Sequence, residues 1–191
     1  MQTRKIMYTL LLTMGIATSC LAKKAEATKV MLKTNYGNIE IELYPKKAPQ
    51  TVKNFLRYVK ENKYNGTIFH RVIDGFMIQG GGLTPDMKKV SAHRPIKNEA
   101  DNGLKNEAGT IAMARTGTVD SATNQFFINV NDNDFLNHKS KDPKGFGYAV
   151  FGKVTKGMPI INKIKMIKTA VKNGRRDVPT QDVIIQSARK L

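Results

Sequence analysis

The run Phe69-His70-Arg71-Val72-Ile73, followed by Gly75-Phe76-Met77-Ile78-Gln79-Gly80-Gly81, sets an arginine and a glutamine among aromatic and sulfur side chains at near-alternating spacing. In two strands joined at Asp74 and Gly75, that spacing makes one face apolar with two polar donors set into it. A second run, Asn124-Gln125-Phe126-Phe127-Ile128-Asn129, repeats the theme about fifty residues on. Its period of two places Gln125 and Phe127 on one face and Phe126 on the other. Strands of this kind side by side form a pocket that holds a small apolar ring against a guanidinium.

The flanking sequence supplies the rest of a sheet. Val30 and Leu32 alternate with polar neighbours, as do Ile39, Ile41 and Leu43 with Glu40 and Glu42, and Asn35-Tyr36-Gly37-Asn38 turns the chain between them. This is a hairpin with one wet face. Pro49 suits the first turn of a helix in which Val52, Phe55, Leu56 and Val59 form one apolar stripe. Further strands are expected at 67–73, 76–79, 110–114, 126–129, 149–154 and 183–188, and a second helix opened by Pro159 buries Ile160, Ile164 and Ile167. Eight strands and two helices, without βαβ alternation or internal repeat, give a mainly β fold: a closed eight-stranded antiparallel β-barrel capped by two α-helices. No linker interrupts residues 29–191, which read as one domain.

The N-terminus is organised differently. Arg4 and Lys5 precede an apolar stretch over 6–17, then small and polar residues around Cys20 and Ala22. That order is a signal peptide over 1–22, with an apolar part too short to span a bilayer comfortably. Cleavage fits after Ala22 or after Ala27, and Ala17-Thr18-Ser19-Cys20 loosely resembles a lipobox, which makes lipidation at Cys20 an alternative that would tie the protein to a membrane. The folded domain is thereby assigned to the periplasm or another extracytoplasmic space. Cys20 is the only cysteine, so no intramolecular disulfide forms. The formal charge is +17, and losing residues 1–22 removes two of 32 basic side chains and no acid, leaving +15. The basic residues are scattered, without interleaved aromatics, so specific nucleic-acid binding is not expected.

Several chemistries lack their parts. His70, His93 and His138 have no paired metal-ligand spacing, so no metal is expected. Gly80-Gly81-Gly82 is not followed by the Lys-Ser or Lys-Thr of a phosphate cradle, Ser121 has no nucleophile elbow, and no carboxylate pair sits near the apolar runs. A reaction that needs only an apolar slot and a positioned cation remains. Rotation about the peptide bond before proline is of that kind: its barrier of about 18–20 kcal/mol is amide resonance. In the twisted state the nitrogen regains a lone pair, which a guanidinium stabilises selectively.

Five segments together carry a family likeness: Phe69-His70-Arg71-Val72-Ile73, Gly75-Phe76-Met77-Ile78-Gln79-Gly80-Gly81, Ile111-Ala112-Met113-Ala114-Arg115, Asn124-Gln125-Phe126-Phe127-Ile128-Asn129 and Val150-Phe151-Gly152-Lys153-Val154. In order and spacing, residues 29–190 resemble the cyclophilin-type peptidyl-prolyl cis-trans isomerases, and most of all their exported bacterial members. The resemblance implies isomerase activity without a cofactor, on proline-containing unfolded or exported polypeptides, by a monomer. It implies Arg71 as the catalytic arginine with Gln79 orienting it, a proline pocket of Phe76, Met77, Phe127 and Leu136, and a substrate chain held by Gln125 and the backbone at Ala114 and Arg115. Phe135 stands where many eukaryotic members carry tryptophan, which implies weak cyclosporin binding, and Tyr148 stands where histidine is common and offers an aromatic wall and a hydroxyl. A proline-peptide-binding chaperone module with incidental catalysis is the alternative.

Overall fold

Eight alternating segments pair edge to edge until no edge is left. The structure, a computed structural model, describes residues 27–191; the leader, its cleavage after residue 22 and Cys20 lie outside the described residues. The barrel strands are β1 (Thr28–Thr34), β2 (Gly37–Leu43), β3 (Thr67–Ile73), β4 (Met77–Gly80), β5 (Thr110–Met113), β6 (Phe126–Asn129), β7 (Val150–Lys156) and β10 (Ile184–Lys190). Their order around the barrel is β1-β10-β3-β4-β6-β5-β7-β2, with β2 pairing back to β1, and every pair is antiparallel. The closed eight-stranded barrel with two helices is the expected one, with β4, β7 and β10 each beginning one residue later than anticipated and running on further.

Inward-facing residues of every strand fill the interior, and two helices seal it. From α1 (Pro49–Lys60), Val52, Phe55 and Val59 enter the barrel core, joined by Tyr58, which the expected stripe omits. Phe126 is a hub of the aromatic packing, edge-on to Phe55, Tyr64 and Phe69 with ring centroids 5.6, 5.4 and 5.9 Å away. In α2 (Met158–Lys165) the buried pair is Ile161 and Ile164, while Ile160 and Ile167 only lean against the core. Of the expected stripe Ile164 is buried, Ile161 takes the place of Ile160, and Ile167 lies beyond the end of the helix, whose first turn holds Pro159.

The opening hairpin is not wet throughout. Glu40 is buried, its carboxylate receiving Lys29 Nζ at 2.8 Å, Thr155 Oγ1 at 2.9 Å and Lys156 Nζ at 3.2 Å. The donors, led by Lys29, hold its pKa down at about 2. Alternation reports which side of a sheet a residue faces; it is silent on long basic side chains folding over that side.

A two-stranded ribbon lies outside the barrel and outside the sequence expectation: β8 (Thr169–Lys172) and β9 (Arg175–Pro179), joined by Asn173-Gly174 with φ of +50° and +73°. Two left-handed residues in a two-residue connection are the type I′ turn for which Asn-Gly is suited. β8 is almost wholly exposed and so lacks an apolar alternation to betray it. Val178 anchors the ribbon by packing with Ile68 of β3, Leu83 and Met87.

Candidate active site

The site forms on the outside of the barrel wall. In the β3–β4 ladder Arg71 is registered with Gln79, Val72 with Ile78 and Ile73 with Met77, and the register slips between Phe69 and Arg71. That slip is a bulge, and it reverses the alternation: Phe69 and Val72 point into the core, whereas Arg71 points out. Across β6, Gln79 is registered with Phe127 and Gly80 with Phe126, and on β5 Ala112 opposes Phe127. Phe126 and Ile128 therefore face inward, and Met77, Ala112, Phe127 and Val150 make a second apolar cluster outside with Leu136.

Over that cluster opens a cavity of about 110 Å³. Such a volume, well under the roughly 300–1,000 Å³ of drug-sized pockets, suits one small ring. Phe76, Met77, Phe127 and Leu136 form its apolar lining; Arg71, Gln79, Ala114, Arg115 and Tyr148 complete it. Tyr148 stands edge-on to Phe127 at 5.6 Å. Two residues expected at the site lie outside this lining. Phe135 is 64% exposed on a 3₁₀ turn (Asp134–Leu136), its ring 5.5 Å from that of Phe76, because that turn sends Leu136 inward and its predecessor out. Gln125 borders the cavity through Gln79, whose Nε2 donates to Gln125 Oε1 at 2.9 Å.

The glycine run has a role beyond ending a strand. A Cβ on Gly82 would lie 2.4 Å from the Gln125 side chain, and one on Gly81, at φ +84°, would lie 2.8–2.9 Å from the Tyr64 and Phe126 rings. The bare backbone makes room for Gln125 beside the site.

The two arginines of the cavity are in different states. Arg115 is fully occupied: Nε donates to the Gly147 carbonyl at 3.0 Å, Nη1 to that of Thr116 at 2.9 Å and Nη2 to that of Pro143 at 3.0 Å, and the guanidinium lies 4.9 Å from the centre of the Tyr148 ring. Arg71 has one side-chain partner among the described residues, Asp177, whose Oδ2 accepts from Nε at 3.5 Å. Its two terminal nitrogens donate to nothing among the described residues and are free for a ligand. Gln79, expected to orient Arg71, is instead engaged with Gln125.

Residues that the sequence reading did not single out hold the site's loops. Asn133 Nδ2 donates to the Phe76 carbonyl at 2.9 Å and to Asn129 Oδ1 at 2.7 Å; Asn106 Nδ2 reaches the carbonyls of Leu136 at 3.2 Å and Tyr148 at 3.3 Å. This buried amide network ties three lining segments together. The only signal for it is the density of asparagines in otherwise polar connections. His70, at the bulge, is buried with Nδ1 unpaired among the described residues; desolvation, then the charge of Arg175, lowers its pKa to about 4.

A neutral buried histidine makes stability pH-dependent. Between about pH 6.5 and 4 the unfolded chain binds a proton there that the native chain does not, so stability is complete above the unfolded pKa and falls as pH drops through that window. The loss reaches about 3 kcal/mol only once the native histidine is protonated as well, below about pH 4. Urea midpoints measured from pH 7 to 4 should decline, and His70→Phe should flatten the decline in that window; an unchanged slope would exclude His70 as its source. Glu40 adds a second, more acidic loss as pH falls below about 4.5 toward 2.

The chain as a whole is similar to known proteins. The family model "Cyclophilin type peptidyl-prolyl cis-trans isomerase/CLD" matches residues 29–190. A peptidyl-prolyl cis-trans isomerase of Streptomyces antibioticus is 59% identical over 162 residues, 85% of this chain and 98% of the relative. Peptidyl-prolyl cis-trans isomerase B of Escherichia coli is 57% identical over 158 residues, 83% of this chain and 96% of the relative. Among solved structures, a cyclophilin-type isomerase of Cryptosporidium parvum superposes with a TM-score of 0.72 at 27% identity, covering 87% of this chain and 98% of its own. The same protein in the presence of the dipeptide Ala-Pro gives a TM-score of 0.70.

Proposed function

Because the chain belongs to the cyclophilin-type peptidyl-prolyl cis-trans isomerases, we propose that its outer-wall cavity receives a proline ring and that Arg71 stabilises the twisted amide beside it. The protein is a peptidyl-prolyl cis-trans isomerase; the proposal concerns how it works and where. One observation carries the mechanism: Arg71 offers two uncommitted terminal nitrogens, whereas every nitrogen of Arg115 is engaged by backbone carbonyls. The lining holds no carboxylate, imidazole or thiol, so the chemistry rests on walls and a cation.

In the planar amide, resonance withdraws the nitrogen lone pair, and a donor aimed at that nitrogen gains little. As the bond twists, the lone pair localises and accepts a hydrogen bond from the guanidinium, so the interaction exists mainly in the transition state. Phe76, Met77, Phe127 and Leu136 hold the ring in both states and set affinity more than rate. Gln125 and the backbone at Ala114 and Arg115 hold the flanking chain. The test is an isomerisation assay on a short proline peptide, with binding measured separately, for the protein and Arg71→Ala. Bound peptide with equal rates would overturn the arginine mechanism, and binding without catalysis in either would favour the peptide-binding module.

We further propose that the enzyme acts on exported chains outside the cytoplasm. The charged, apolar and small-residue order of residues 1–22 supports this. Mass spectrometry of the mature protein should find a free N-terminus at Lys23 or Thr28; a retained leader would overturn that assignment, and a lipid-bearing Cys20 would keep the domain outside the cytoplasm but tie it to a membrane.

A further inference from the structure

We propose that Asp177, on the ribbon outside the barrel, is the residue that positions Arg71 for catalysis. The inference rests on the arginine mechanism above. It starts from an arginine whose registered neighbour is otherwise engaged: Gln79 donates to Gln125, and the one side chain of the described residues that accepts from Arg71 is Asp177, Oδ2 to Nε at 3.5 Å. A carboxylate on Nε pins the near end of the guanidinium and leaves the two terminal nitrogens pointing away, available to the substrate nitrogen. Contacts of this kind are often long before substrate binds and tighten afterwards.

The backbone is arranged for that contact. In the β8–β9 ladder Ala170 is registered with Val178 and Lys172 with Arg175, so β9 carries one residue more than β8 between those pairs. The extra residue falls at Arg176-Asp177, and Asp177 has φ +62°. A bulge with a left-handed residue re-aims a side chain, and a left-handed non-glycine residue costs about 1–2 kcal/mol. The next residue, Val178, is buried against Ile68, three residues before Arg71 on the same strand. The apolar anchor thus fixes the ribbon to β3, and the bulge turns the carboxylate onto the arginine. The pair is half open to water, Arg71 43% and Asp177 38% exposed at the side chain, so it contributes little to stability. Its value lies in orientation.

Asp177→Gly is the clean deletion, because glycine accepts the left-handed backbone; Asp177→Asn also tolerates it and keeps a neutral acceptor. Asp177→Gly should lower kcat for a short proline peptide about tenfold with KM little changed, since misplacing a catalytic group costs rate, and Asp177→Asn should recover part of the loss. In the Arg71→Ala background, Asp177→Gly should change nothing further. The Arg71 Nε–H resonance, observable in the wild type, should exchange faster with solvent in Asp177→Gly, while circular dichroism stays native. A full rate for Asp177→Gly, a raised rate, or an added loss on top of Arg71→Ala would overturn the positioning role. Failure of the underlying mechanism looks different: Arg71→Ala itself would then keep its activity.

Discussion

Replacing Arg71 with alanine is expected to lower kcat/KM on a proline peptide about 100- to 1,000-fold, the loss seen when one preorganised donor to a transition-state charge is removed. Almost all of it should fall on kcat. The planar amide offers the guanidinium no accepting nitrogen, so the ground state forfeits little and KM should move by less than a factor of about three. Arg71→Lys keeps a charge but exchanges a planar fork for a point donor, and an intermediate rate is expected. Retention of more than about a tenth of the wild-type rate by Arg71→Ala would mean that the walls, and not the cation, lower the barrier, although apolar contacts shared by both states have little differential energy to offer. A loss confined to KM would make Arg71 a binding residue.

Phe126→Ala and Phe127→Ala, adjacent on one strand, are expected to fail in different ways. Phe126 is fully buried and meets three aromatic rings edge-on. Its removal leaves a closed void and should cost about 3–5 kcal/mol, a large fraction of the roughly 5–15 kcal/mol that holds a domain folded. Phe127 faces the outer cavity. Its void opens to solvent, so the stability cost should be at or below the low end of that range. Loss of a ring contact worth about 1.5–3 kcal/mol should instead raise KM roughly tenfold to a hundredfold. Urea unfolding and steady-state kinetics on both variants separate the outcomes. Equal stability losses with equal KM would show that the two faces of the strand are not divided between core and site.

The barrel was legible because its opening hairpin is half-buried: the alternation of Val30 and Leu32, and of Ile39, Ile41 and Leu43, reports a core face directly. Arg71 was legible as a donor among apolar neighbours, but its outward direction depends on the bulge after Phe69, and strict alternation from Phe69 would have put it inside. Asp177 was not legible. The strand that carries it has little apolar pattern, and its partner β8 lies in water on nearly all sides; only the Asn173-Gly174 turn dipeptide announces the ribbon. Burial of Glu40 escaped for a related reason, since Lys29 and Lys156 cover it from other strands. The asparagine network is largely tertiary: Asn129 and Asn133 are neighbours, but their amides acquire meaning only when Asn106 and Phe76 arrive from other segments.

The strand that opens the barrel is also the one that completes it. β1 pairs along one edge with its sequence neighbour β2 and along the other with β10, and the amide of Leu191, the final residue, donates to the Lys29 carbonyl at 2.9 Å. While a chain is still being made, that second edge has no partner until the last seven-residue strand has emerged. Closure then joins segments separated by nearly the whole sequence, a contact pattern associated with slow folding. Until β10 is made, the seam beside β1 stays open while local pairs such as β1–β2 and β3–β4 can already form, so the barrel is completed by its last strand and not by its first.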